Sequence, residues 1–218
     1  MKEVRGNHFN FKYDVGGEAV SKTIIETAEN TYDQVTKEYG IKADDELFEF
    51  IICPDVASFI KYTGKTEDTY QSWMVGNADY ERRLLCILSP SASDRSLEDM
   101  LDIVRHEVVH IVFDSLSAKS PDDISPLIAE GIAVYLAQQV YPQCLNKSNR
   151  PDALKMCDED YFFENDGYNY SGVYMGYFVR KYGMEAFKEV YAEKKPLEDY
   201  IYDGFEEDAI DSFLNPQH

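Results

Sequence analysis

Residues 106–110 read His106-Glu107-Val108-Val109-His110, and no other segment restricts the chain's possible folds so strongly. On a helix, residues four apart lie one turn apart on the same face, so both imidazoles point the same way. From there they can reach one tetrahedral ion at about 2.0–2.1 Å from each nitrogen. The glutamate beside the first histidine is angled toward a water on that ion rather than toward the ion itself. The chain has 4 histidines among 218 residues, and two of them stand in this motif. The local sequence supports the helix. Ser96 and Asp99 form a variant capping box, with Asp where Glu or Gln is usual, and the spacing predicts a helix from Leu97 to about Leu116.

A hydrolytic zinc needs three protein ligands and one open position. The remaining histidines, His8 and His218, are near the ends of the chain. Glu130 follows His110 by twenty positions, in the segment Ile128-Ala129-Glu130-Gly131-Ile132-Ala133. A carboxylate among apolar residues is costly to bury unless it is paired or binds metal. The small residues Ala129, Gly131 and Ala133 would let this helix approach a neighbour closely. Pro126 marks its start and Pro142 its end, giving an expected helix over 127–140.

The rest of the chain divides by pattern. Residues 8–14 alternate and read as a strand, broken by Gly16-Gly17. Apolar positions from Val20 to Tyr39 recur at three- and four-residue steps, an amphipathic helix that Gly40 stops. Leu47–Cys53 reads as a buried strand, followed by a short helix to Tyr62 that Gly64 closes. Tyr70–Val75 and Leu84–Leu88 read as two more strands, with Gly76-Asn77 as a turn or bulge between them. Beyond the first long helix, Ser120-Pro121-Asp122-Asp123 is loop. Residues 144–167 are polar with one short helix, and 171–182, 185–193 and 206–214 read as helices. The expectation is an α+β protein: a small mixed-sheet subdomain over 1–92, then a helical subdomain over 93–218, the two sharing a cleft.

Composition narrows the partners. Lys plus Arg is 21 and Asp plus Glu is 41, a net charge of −20. Phosphate binding needs a positive patch, so neither a nucleic acid nor an anionic membrane surface is an expected partner. No stretch approaches the roughly 18 apolar residues of a membrane span. The opening MKEVRGNHFNFKYD has no apolar run behind its cations and does not read as a signal peptide. The expected compartment is the cytoplasm, or the exterior if a leader has been removed. Of the four cysteines, Cys53 and Cys86 lie in apolar runs and read as core thiols. Cys144 and Cys157 could bridge in an oxidising compartment, with free thiols the favoured reading.

His106-Glu107-Val108-Val109-His110 followed by Ala129-Glu130-Gly131-Ile132-Ala133-Val134-Tyr135-Leu136 resembles the gluzincin zinc metallopeptidases, and more narrowly the peptidase MA-like domains. In those, a small α+β unit precedes HExxH, an EGxA helix, and a Tyr-bearing helix ending in Tyr-Gly. The order is similar over residues 45–183. Trp73-Met74-Val75-Gly76-Asn77-Ala78 is similar to the family's W-x-x-G-x-A, and Leu84–Leu88 to its following edge strand. The resemblance implies a zincin-like fold and a Zn²⁺ held by His106, His110 and Glu130. It further implies Glu107 as base and a peptide or protein as substrate. It places the oxyanion-stabilising tyrosine at Tyr168, with Tyr170 the alternative if the register slips by two. One position departs: where thermolysin-like enzymes carry a supporting Asp, four residues after the third ligand, this chain has Val134. Asp114, one turn beyond His110, is the candidate replacement. Two other readings remain open, a zinc-retaining regulatory domain without turnover and a metal-free interaction domain.

Overall fold

The computed structural model describes residues 1–14, 17–117 and 123–215. Gly16, the Ser120–Asp122 part of the expected loop, and His218 lie outside the described residues. The chain is α+β, with a sheet-bearing part first and a helical part second. Two compact units divide it, Met1–Val112 and Phe113–His218.

In the first unit five strands form one mixed sheet in the order β1 (Lys2–Arg5), β2 (Phe9–Tyr13), β3 (Phe48–Cys53), β5 (Leu84–Leu88), β4 (Gly76–Asp79). The inner pairs β2–β3 and β3–β5 are parallel, and the outer pairs β1–β2 and β4–β5 are antiparallel. Alternation gives the sheet two faces. Phe9, Phe11, Phe48 and Phe50 are in register across β2 and β3. Helix α1 (Glu18–Tyr39) packs on their face through Tyr32, edge-on to Phe9 at 5.7 Å. It ends at Gly40, which takes the left-handed conformation. The opposite face carries Ile51, Cys53, Leu84, Cys86 and Leu88, covered by Phe59 of helix α2 (Val56–Thr63). Asp55 caps α2 by accepting the Ser58 N–H at 2.7 Å.

All four cysteines are free, so Cys144 and Cys157 do not bridge. The neighbouring Cys53 thiol, with burial, pushes the Cys86 thiol far above its ordinary pKa. Such thiols are inert, as core cysteines should be.

Three local expectations fail. The edge strand runs over Gly76–Asp79, not Tyr70–Val75: Gly76 pairs with Ile87 and Asp79 with Leu84, and the preceding residues turn, with Met74 N–H bonded to Gln71 C=O at 2.9 Å. The residues expected to turn therefore hold the ladder. β1 was not expected at all. Its sequence, Lys-Glu-Val-Arg, is almost wholly exposed and shows no apolar alternation. The third difference is the end of the EGxA helix, described below.

Helix α3 (Leu97–Asp114) begins with both arms of the capping box formed. The Asp99 N–H donates to Ser96 Oγ at 3.1 Å, and the Ser96 N–H donates to Asp99 Oδ2 at 3.1 Å. The division between the two compact units falls inside this helix, after Val112. The packing within each unit explains it. Ile103 packs on the sheet core of the first unit. Phe113 meets Phe187 edge to face at 5.9 Å and lies tilted against Tyr191 at 5.5 Å, both in the second unit.

The second unit holds α4 (Pro126–Leu136), α5 (Glu159–Glu164), α6 (Gly167–Tyr182), α7 (Met184–Tyr191) and α8 (Phe205–Leu214). α4 stops four residues short of the expected Val140. Gln138 is left-handed, at φ 58°, and the Gln139 N–H reaches Val134 C=O at 3.0 Å. That is a Schellman-type stop with glutamine in the place usually held by glycine. α4 and α6 approach through small residues. A Cβ on Gly131 would lie 2.8 Å from Ser171 O, and one on Gly172 would lie 2.4 Å from Val134 Cγ1. Among the described residues no helix is long and apolar enough to cross a membrane.

The α4–α6 seam has a direct test. Gly172→Ala should destabilise the protein by about 1–3 kcal/mol, the usual cost of overpacking, as measured by urea unfolding. A midpoint equal to wild type would show that the seam can open at no cost.

Candidate metal centre

Helix α3 is apolar on more than one side. Met100, Val104, Val108, Ile111 and Phe113 are fully buried, and Val109 and Val112 nearly so. Between these lie Asp102, His106 and His110, spaced four apart, with Glu107 beside them. Such groups are costly to bury unless each has a partner. Asp102 has Arg105, three residues on, as its ion pair.

The two imidazoles converge. Nε2 of His110 lies 3.0 Å from Nε2 of His106, and the rings meet edge to face with centroids 4.7 Å apart. Two nitrogens bound to one tetrahedral ion at about 2.0–2.1 Å lie roughly 3.3 Å apart. The observed separation is within a few tenths of an ångström of that. One ligand atom from each of His106, His110 and Glu130 lies within 4.8 Å of the other two. Two neutral imidazoles and a carboxylate are a donor set that suits zinc.

Glu107 points toward the edge strand. Its residue is only 9% exposed. A Cβ placed on Gly76 would lie 2.3 Å from Glu107 Oε1 and 2.8 Å from Ile103 Cγ2. The carboxylate therefore rests against the β4 backbone at the one position where no side chain stands in its way. Gly76 has a packing role here, whereas the sequence suggested only a turn.

In the second unit, Glu130 is partly buried on α4. The Tyr191 hydroxyl donates to Asp114 Oδ1 at 2.5 Å. Asp114 is 5% exposed and Tyr191 fully buried. Burial first, then the Asp114 carboxylate, then Glu130, push the Tyr191 phenol well above its usual range. It stays protonated and remains a donor. Nothing in the sequence singled out Tyr191 among 17 tyrosines, because its significance depends on α7 returning to the end of α3.

The two oxyanion candidates differ sharply. Tyr170 is buried. Its hydroxyl accepts the Asn146 N–H at 2.7 Å and is 3.3 Å from Asn146 C=O, to which it donates. It is occupied in tying down the loop before α5. Tyr168, the second residue of α6, is partly buried. Its ring packs on Phe162 at 5.4 Å and Phe163 at 6.1 Å, and its carbonyl accepts the Ser171 hydroxyl at 2.9 Å.

No protein-family model matches the chain, and no curated protein matches it.

The contact at Gly76 can be measured. Gly76→Ala should cost about 1–3 kcal/mol in urea unfolding. The cost should fall in a Glu107→Ala background, where the carboxylate no longer competes for the space. Equal costs in both backgrounds would mean that Glu107 does not press on this strand.

Proposed function

We propose that this protein is a zinc-dependent metallopeptidase of gluzincin type, hydrolysing peptide bonds in a peptide or protein substrate. The observation that carries the reading is the convergence of His106, His110 and Glu130 to within 4.8 Å of one another. These three would hold the ion. The chemistry that zinc supplies when bound is Lewis acidity toward water and toward a carbonyl oxygen.

The other steps belong to the chain's own residues. Glu107 takes the proton of the attacking water and delivers it to the leaving amine. Its seat against the β4 backbone fixes where that proton is taken. Tyr168 donates a hydrogen bond to the carbonyl oxygen as negative charge develops there. A phenol with a pKa of about 10 is protonated at neutral pH and can fill that role. Edge strand β4 offers backbone groups along which an extended peptide can lie by strand addition.

The test begins with metal. Wild-type protein should bind about one zinc per chain, and His106→Ala or His110→Ala should lose it, as read by elemental analysis. Glu107→Gln should keep the zinc and lower peptide turnover about 10²–10⁴-fold. A zinc-loaded wild type that cleaves nothing in a broad peptide library would instead favour a binding domain. Unchanged zinc in both histidine variants would remove the site altogether.

The tyrosines separate in a second experiment. Tyr168→Phe should cost about a hundred- to thousandfold in turnover, the usual loss of one oxyanion donor, with zinc content unchanged. Tyr170→Phe should lower stability through its bonds to Asn146 and leave turnover near wild type. The reverse pattern would move the role to Tyr170.

A further inference from the structure

We propose that Tyr191 is a positioning residue for the metal site, holding the Asp114 carboxylate in place behind His110. The proposal rests on the metal reading above and adds to it a residue from a different helix.

Asp114 stands four residues after His110 on α3, so the two lie one turn apart on one face. Helical side chains lean toward the N-terminus, which carries the Asp114 carboxylate back over the turn that bears His110. The His110 ring directs its Nε2 at His106 Nε2, 3.0 Å away. Nδ1 is then the ring nitrogen turned away from the metal position, where a supporting acceptor would act. Histidines that bind metal through one nitrogen usually donate the other N–H to a carboxylate or carbonyl, which fixes both tautomer and ring orientation.

A carboxylate can do this only if it is itself held. Asp114 is almost fully buried, and Tyr191 donates to its Oδ1 at 2.5 Å. That bond occupies one oxygen and fixes the rotamer, so the other oxygen has a defined direction. Tyr191 in turn has little freedom. Its ring is fully buried and packs on Phe113 at 5.5 Å and Phe187 at 6.1 Å. Glu130 is near enough to act electrostatically on the same phenol. The Tyr191 hydroxyl thus feels both the supporting carboxylate, which it bonds, and a proposed metal ligand. A neutral donor suits that place, because a lysine or arginine there would compete with the ion for both carboxylates.

The experiment uses the full chain, with zinc affinity measured by competition against a chromophoric chelator. Tyr191→Phe keeps the ring and removes the hydroxyl. It should weaken zinc binding about 10- to 100-fold and alter the visible spectrum of the cobalt-substituted protein. Tyr177→Phe breaks a comparable bond, to the Tyr202 hydroxyl at 2.8 Å, and should leave both readouts unchanged. Asp114→Asn keeps an acceptor for Tyr191 but removes the charge behind the imidazole. It should weaken zinc as much, and it decides the matter if Tyr191→Phe does not fold. Wild-type binding of one zinc with unchanged affinity in Tyr191→Phe and Asp114→Asn overturns this proposal and leaves the metal reading standing. A wild type that binds no zinc overturns both.

Discussion

The cost of placing polar groups on a helix whose central and last turns are largely buried governs this structure. α3 carries His106, Glu107, His110 and Asp114 among Val104, Val108, Val109, Ile111, Val112 and Phe113, all withdrawn from water, with Asp102 half-buried one turn earlier. An unpaired polar group in such a setting costs several kcal/mol, comparable to a large share of a domain's total stability. The surrounding fold answers these groups with specific partners. Arg105 pairs with Asp102, the two imidazoles face each other, Glu107 lies on bare backbone at Gly76, and Tyr191 bonds Asp114.

Much of the fold was legible because its signals are local. Gly40 marks a helix end through its own N–H, and Asp55 and Ser96 with Asp99 through side chains that accept backbone N–H groups, all across three or four residues and all as their chemistry predicts. The failures are cases where a distant partner overrides local preference. Gly76-Asn77 has the composition of a turn, yet it is the segment that meets β5 in register. The preceding aromatic and apolar residues looked more strand-like, yet they turn, and the Val75 C=O is the point at which they reach β5, accepting the Leu88 N–H at 2.8 Å. α4 was read as running to the next proline, but the backbone stops at Gln138, a residue with no strong left-handed preference. β1 carries so little apolar surface that only its pairing with β2 identifies it.

The candidate site was unevenly legible for the same reason. His106, Glu107 and His110 form a motif within one and a half helical turns, so spacing alone specifies their shared face. Glu130 stood out because its flanks are apolar. Tyr168 and Tyr170 could not be separated by composition, and the distinction rests on Asn146, far away in sequence, which occupies the Tyr170 hydroxyl. Tyr191 was invisible for a related reason: it sits 77 positions from Asp114, the residue it bonds.

The small-residue seam between α4 and α6 has a mechanical consequence. Where Gly131 and Gly172 bring the two helices together, the contacts are the Ser171 carbonyl and the first atoms of the Met175 side chain at one, and the branched Val134 and Val140 at the other; backbone and atoms this near it have little room to yield. Glu130 stands beside Gly131 on one helix, and Tyr168 stands a single turn before Gly172 on the other. Their spacing is therefore set by backbone geometry rather than by rotamer choice. The pair should behave as one stiff bracket, in which a disturbance at either helix is transmitted to both side chains together. Substitutions along the seam, though they touch neither group, would then move Glu130 and Tyr168 in step, and no repacking of a single side chain would restore one without the other.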